Sequence, residues 1–324
     1  MKNIAIIGAG KIGSRHLQAL KAVNIPLNIF VVDPSESSLK KAKKIYDSIN
    51  NTQIQHKVRY LSEIDINDKL DLAINATNSD MRRESTEKLF QSCQVNFLIL
   101  EKILFQKAED YYAINDLLKK RNCTTWVNCN IRTMPDYRNL VKKWFNKEKL
   151  LFTVTGSQWG LMCNAVHFID YLSFLTECNE FEVNTEYLDK KLIPSKREGF
   201  YELSGIIQTH LSDGSHGILS CQPSGDLPII INISSDTTNC SINLLKNEEN
   251  MLICKGNSDW KTYNVEYLNV SSLTTSLVEN ILTSGKCLLP TYEYAMKLHL
   301  SFFEPVLEFL NMHIGKDFTN YPFT

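Results

Sequence analysis

The sequence has no excess charge of either sign. Its 35 Lys and Arg face 36 Asp and Glu over 324 residues, a formal net charge of -1. That balance builds no broad basic surface, which argues against nucleic acid and acidic membranes as partners. Nine cysteines, at 93, 123, 129, 163, 178, 221, 240, 254 and 287, include no Cys-x-x-Cys pair. An odd, scattered set reads as thiols in a reducing compartment, with no metal site expected. Nowhere do about 18 apolar residues follow one another, so no membrane-spanning helix is expected. The first apolar run breaks at Gly8 and is too short for a signal-peptide core. These absences point to a soluble, cytoplasmic protein with a small-molecule ligand.

The length suits two domains, at roughly 100 to 200 residues each. Residues 4 to 7 (IAII) form a continuous apolar run of the kind buried in parallel sheets. A helical stretch over Ile12 to Ala22 follows, then a strand over Leu27 to Val32 ending in Asp33, and a lysine-rich helix over Ser38 to Ile49. The alternation continues with Leu70 to Ala76, a helix over Arg83 to Ser92, Asn96 to Leu100, a helix over Ala108 to Lys120, and Thr125 to Asn128. Such spacing predicts a doubly wound parallel sheet, which binds its ligand at the carboxyl ends of the strands. After about residue 125 the pattern changes to a helix over Asp136 to Phe145, a strand over Leu151 to Ser157 and a helix over Cys163 to Leu175. Short β-type runs follow, YELSGIIQTHL, SHGILSCQ, IIINISS, SINLLK, NMLICKG and YNVEYL, before a long helix over Tyr292 to Asn311. The Asp213-Gly214 pair between two of these runs predicts a hairpin. The fold class is therefore α/β, with a Rossmann-type domain over 1–124 and an α+β domain over 125–324 that carries an antiparallel sheet.

Gly8-Ala9-Gly10-Lys11-Ile12-Gly13 completes G-x-G-x-x-G between a strand and a helix. The glycines give a tight turn, close backbone approach to a pyrophosphate and close helix packing, and the helix N-terminus attracts phosphate. Asp33 lies at the end of the second strand, where a carboxylate accepts from the adenosine ribose hydroxyls and repels a 2′-phosphate. The expected cofactor is therefore NAD rather than NADP.

The glycine motif runs on to His16, one strand ends in Ala76-Thr77-Asn78, the next ends in Glu101-Lys102, and Asn164-Ala165-Val166-His167-Phe168-Ile169-Asp170 lies downstream. In order and spacing these motifs resemble the glucose-fructose oxidoreductase, inositol 2-dehydrogenase and MocA (Gfo/Idh/MocA) family. Leu289-Pro290-Thr291-Tyr292-Glu293 is similar to the start of the family's last helix. The resemblance implies a Rossmann domain joined to an α+β domain whose open sheet pairs subunits into homo-dimers or homo-tetramers. It also implies redox chemistry at a carbinol of a sugar, cyclitol or nucleotide-linked sugar, and the Asn-x-x-His form points to surface-polysaccharide or unusual-sugar pathways. Carried over by motif position, the resemblance implies that Ala76, Thr77 and Asn78 line the nicotinamide side, that Glu101 lies near its ribose, and that Lys102 points at the reacting oxygen.

The residues themselves support part of that assignment. Lys102 ends a buried strand, where a lysine beside apolar groups and a cationic ring is suited to proton transfer; the alternative is a solvated lysine paired with Glu101. At about 100° per residue, Asn164, His167, Asp170 and Tyr171 share one polar arc that faces solvent or a cleft. His167 is either the acid or base of the reaction or a hydrogen-bonded structural histidine. Arg132 either holds an anionic group or forms a salt bridge, and Trp159 either stacks on a sugar face or anchors the domain. His210 and His216, flanking a hairpin turn, read as sheet residues. The family pattern is broken at Cys163, where an aspartate is usual, and at Ile103, where a proline would favour a cis bond. These departures keep a second reading open, a sensor that binds NAD without turnover.

Overall fold

A computed structural model describes residues 1–49, 54–145, 148–244, 250–266, 268–315 and 317–324. In the first part of the chain, strands β1 (Lys2–Ile7), β2 (Leu27–Val32), β3 (Lys57–Leu61), β4 (Leu70–Asn75), β5 (Val95–Leu100) and β6 (Thr124–Val127) alternate with helices. The helices are α1 (Lys11–Leu20), α2 (Glu36–Asp47), α3 (Arg82–Ser92) and α4 (Ala108–Arg121). Then come a wide π turn at Tyr137–Val141, the single turn α5 (Lys142–Trp144), β7 (Leu151–Ser157), α6 (Leu161–Thr176) and β8 (Phe181–Asn184). The two-residue strands β9 (Ile193–Pro194) and β10 (Tyr201–Glu202) precede β11 (Gly205–Leu211), β12 (His216–Gln222) and β13 (Ile230–Ser234). The chain ends with β14 (Thr238–Asn243), β15 (Asn250–Lys255), β16 (Lys261–Asn264), α7 (Val270–Ser284) and α8 (Tyr292–His313).

Two compact units result. The first comprises Met1–Asn130 and Leu268–Ala295, the second Ile131–Tyr267 and Met296–Thr324. The expected boundary at 124/125 thus falls after Asn130, and a later segment returns to the first unit. Its reason is hydrophobic. Leu277, Val278 and Ile281 of α7 join the buried core with Leu17, Leu20 and Ile29, and Thr275 donates its hydroxyl to the Ala19 carbonyl of α1.

The first unit's sheet has the order β3-β2-β1-β4-β5-β6 and every pairing is parallel. The order reverses beside β1, which makes the crevice over the carboxyl ends of β1 and β4 the ligand position of such sheets. Ile4, Ile6, Leu72 and Ile74 are fully buried, as the continuous apolar runs require. β3 and α7 escape the sequence reading because Lys57–Leu61 carries two charges and Val270–Ser284 is rich in β-branched and hydroxyl side chains.

The second unit is built on an eight-stranded sheet in the order β16-β15-β14-β13-β7-β12-β11-β8. It is mixed rather than wholly antiparallel, because β7 and β12 pair in parallel. Alternation sets its two faces. Phe152, Val154, Ile207, Leu219, Ile231 and Ile233 are buried, while Gln208, His210, His216, Asn232 and Ser241 lie on the accessible side. The single strand expected over YELSGIIQTHL divides into β10 and β11 at Gly205, whose φ is +104° and whose hypothetical Cβ would meet the Tyr187 carbonyl at 2.5 Å. Only glycine permits both. The end of SINLLK and Tyr267 of YNVEYL lie outside the described residues. Among the described residues, no helix is long and apolar enough to cross a membrane.

Truncating Ile281 to Ala leaves a cavity under α7 and is expected to lower stability by about 2–5 kcal/mol, measured by denaturant unfolding. A loss below about 0.5 kcal/mol would show that α7 is not part of this core.

Candidate functional site

The cofactor motif folds for steric reasons. Gly8 has φ +91°, and a Cβ there would lie 3.0 Å from the Ala76 carbonyl carbon and the Thr77 nitrogen. At Gly13 a Cβ would be 1.8 Å from the Gly8 oxygen, whereas at Gly10 nothing lies within 4 Å. The first and third glycines thus bring α1 against β1 and β4, and the second faces open space. Helix α1 begins at Gly10 with no side-chain cap and no acidic residue in its first turn. Its N–H groups, those of Lys11 and Ile12 included, and its positive dipole end are left for an anion.

Asp33 is fixed from both sides, accepting from the Ala9 N–H at 2.7 Å and from the Ser35 N–H at 2.8 Å. Gly8, Gly10, Asp33, Ala76, Thr77 and Asn78 line one cleft of about 950 Å³, whose other wall is the segment after β3 and the side of α3. These six expected cofactor residues are brought together within the first unit. The chain supplies a glycine cradle, an uncapped helix end and a carboxylate at the cleft rim, and these fit a dinucleotide.

Glu101 lies below this surface, only 6% exposed. One of its oxygens accepts from His16 Nε2 at 2.8 Å and from the Asn128 amide. His16 Nδ1 reaches the Thr274 hydroxyl of α7 at 2.8 Å. Burial alone would raise the Glu101 pKa; the hydrogen bond and charge of His16, the Asn128 amide and the Arg82 guanidinium overcome it and hold the carboxyl well below its usual range. Lys102 follows at the strand end, and the Lys102–Ile103 peptide is cis although residue 103 is not proline.

Two residues that the sequence reading missed shape this edge. Asn75, fully buried, accepts from the Thr77 N–H at 3.2 Å and the Thr77 hydroxyl at 2.7 Å. Arg82 is 2% exposed and donates to the carbonyls of Thr77, Ile103 and Leu104, so one guanidinium joins the turn after β4 to the turn after β5. The polar end of the apolar run LDLAIN signalled Asn75. Nothing separated Arg82 from its surface neighbour Arg83.

In the second unit the expected polar arc of α6 is divided. Cys163, Asn164 and His167 are partly accessible, but Asp170 is 1% and Tyr171 0% exposed. Arg132 grips the Asp170 carboxylate through Nε at 2.8 Å and Nη2 at 2.7 Å. Burial pushes the Asp170 carboxyl up, and the guanidinium counters it. Tyr171 donates to the Tyr137 carbonyl at 3.0 Å. The expectation that Asp170 and Tyr171 face solvent or a cleft is therefore corrected, since both are buried with their polar atoms held by Arg132 and the Tyr137 carbonyl. Asn164 donates its amide to the Trp159 carbonyl at 2.6 Å, and the Trp159 indole donates to the Ser220 carbonyl at 2.9 Å. Both fix the start of α6. Glu202 adds a carboxylate there that the sequence did not reveal, accepting from the Met162 N–H at 2.9 Å.

Gly13→Ala is expected to abolish NADH binding in a fluorescence titration, because its Cβ collides with the Gly8 carbonyl; unchanged affinity would contradict the cradle. For Glu101 the sign follows from its depressed pKa. Its contribution is present above the unfolded value of 4.5 and is lost as pH falls toward about 2. Glu101→Gln should lower the melting temperature at pH 7, with the gap to the parent protein narrowing below about pH 4.5. A gap that stays constant down to pH 2.5 would show that no carboxylate charge is involved.

Residues 2–129 match the family model described as "Oxidoreductase family, NAD-binding Rossmann fold" (GFO_IDH_MocA). No curated protein sequence matches the chain. Among solved structures, UDP-N-acetylglucosamine 3-dehydrogenase from Acidithiobacillus ferrooxidans is similar with a TM-score of 0.70 at 12% identity, over 93% of this chain and 95% of that one. Biliverdin reductase from Synechocystis, solved with biliverdin and NADP+, gives 0.70 at 13% identity over 94% and 98%. Levoglucosan dehydrogenase, solved with NADH and L-sorbose, gives 0.69 at 14% identity over 100% and 99%. At such identities these likenesses establish the fold. Residues 2–129 are thus similar to the NAD-binding Rossmann domain of the Gfo/Idh/MocA oxidoreductases.

Proposed function

We propose that this protein transfers hydride between NAD and a carbinol or carbonyl carbon of a sugar, cyclitol or nucleotide-linked sugar. The observation that carries the reading is the glycine cradle with Asp33 held at its rim by the Ala9 and Ser35 N–H groups. A carboxylate so fixed accepts from ribose hydroxyls and disfavours a 2′-phosphate, which supports NAD over NADP. The names of two fold relatives, a nucleotide-sugar dehydrogenase and an anhydrosugar dehydrogenase, support a sugar-like substrate. The Asn-x-x-His motif adds surface-polysaccharide or unusual-sugar synthesis as the setting.

Bound nicotinamide supplies the hydride donor or acceptor. In this reading Lys102 polarises the substrate oxygen and His167, a partly accessible imidazole on α6, gives or takes the proton. Arg82 and Asn75 hold the two strand-end turns still, which is how a protein contributes orientation. Subunits associate into homo-dimers or homo-tetramers through the second unit's sheet, and the protein works in the cytoplasm.

One observation favours a second reading. Arg132, Asn164, Asp170 and Tyr171 are all engaged internally, which is compatible with an NAD-binding sensor without turnover. Lys102→Ala separates the two. For the enzyme, kcat should fall at least about 100-fold while NADH affinity changes less than about threefold. Tight NADH binding without hydride transfer across nucleotide sugars and cyclitols would favour the sensor. Should Lys102→Ala and His167→Ala both leave turnover intact, the assignment of these residues is wrong.

A further inference from the structure

We propose that His210 and His216 form a two-histidine site for a divalent transition-metal ion on the accessible face of the second unit's sheet. The two residues stand directly opposite each other in the antiparallel β11–β12 register, so their side chains rise from the same face. Their Nδ1 atoms face each other at 2.7 Å, and the rings meet edge to face with centroids 4.7 Å apart. Both residues are exposed.

A contact between two Nδ1 atoms is chemically specific. One proton can lie between them, donated by one ring and accepted by the other, and a second proton on that line has no place. A metal ion can take the proton's position and bind both lone pairs. Imidazole nitrogen suits zinc, copper and nickel, at about 2.0–2.1 Å for zinc. Two nitrogens on one tetrahedral zinc lie about 3.3 Å apart, so the pair has to open by only about half an ångström. Small side-chain rotations provide that.

The scaffold holds the pair before any ion arrives. The intervening turn is closed by the Leu211 N–H to the Ser215 carbonyl and the Gly214 N–H to the Leu211 carbonyl, both at 2.9 Å. Asp213 accepts from the Ser215 N–H at 2.9 Å. Beyond β11, Glu182 of β8 stands opposite His210, placing an exposed carboxylate in the same cross-strand row. Beyond β12, Leu151 of β7 stands opposite His216. The row therefore carries negative charge and no competing lysine or arginine. Among the described residues no three His, Cys, Asp or Glu side chains converge as a metal group. The site is thus open, with two protein ligands and water in the other positions.

Calorimetric titration of untagged protein with Zn2+ at pH 7.5 tests the assignment. One equivalent should bind per chain with a Kd of about 1–100 µM. The displaced Nδ1 proton passes to Nε2 of the same ring, so both imidazoles stay neutral and the heat should be nearly independent of the ionisation enthalpy of the buffer. His210→Ala and His216→Ala should each weaken binding at least about tenfold, about 1.4 kcal/mol, while NADH affinity and melting temperature stay unchanged. Lowering the pH should weaken binding in the parent protein. Absence of saturable binding below about 1 mM overturns the proposal. So does an unchanged Kd in the double variant, which would put the ion elsewhere, for example on the thiols of Cys178 or Cys254.

Discussion

A buried carboxylate at the end of β5 sets the terms for the first unit. Glu101 carries a charge in a place with almost no water, and such a charge persists only if surrounding groups compensate it. The compensation comes from four elements. His16 reaches it from α1, Asn128 from the end of β6, Arg82 from α3 by its charge, and Thr274 on α7 orients His16 from behind. The apolar contacts of α7 return 268–295 to the first unit, and the Thr274 hydroxyl adds the contact that orients His16. A helix that supplies the partner of His16 belongs with the sheet it stabilises.

The same arrangement explains how the strand ends stay fixed without rigid residues at every position. Arg82 lends one planar guanidinium to carbonyls on two turns, a geometry that a lysine ammonium would not reproduce. Asn75 holds Thr77 through both backbone and hydroxyl. The turns that bear Thr77 and Lys102 are thereby joined through side chains that never reach the cleft surface. Positioning and chemistry are assigned to different residues.

Much of the first unit was legible because its constraints are local. Apolar runs identify buried parallel strands, and glycines at fixed spacing identify a cradle whose sterics the structure reproduces at Gly8 and Gly13. Asp33 was legible for the same reason, lying at a strand end fixed by its neighbours. What stayed illegible depends on long-range partners. The role of Arg82 is set by carbonyls about twenty residues away, and that of α7 by a core formed some 250 residues earlier in the chain. Periodicity correctly placed Asp170 and Tyr171 together on α6, but it assigns a face and says nothing of what lies against it. Arg132 and the Tyr137 carbonyl happened to lie there, so a polar arc became part of a core.

The break at Cys163 is compensated within the second unit. An aspartate there would add a negative charge to the first turn of α6, a position that a helix dipole favours. In its absence Glu202 brings a carboxylate to the same turn from β10 and accepts from the Met162 N–H. A Cβ placed on Gly160 would meet Cys163 Sγ at 2.9 Å, Asn164 Nδ2 at 3.2 Å and Glu202 Oε1 at 3.3 Å, so all three groups converge on the helix start. The electrostatic requirement of that turn is met from a distant strand. Loss of the usual aspartate therefore removes a residue without removing negative charge from its surroundings, and the absence of a motif letter is weaker grounds for lost chemistry than the sequence alone suggests.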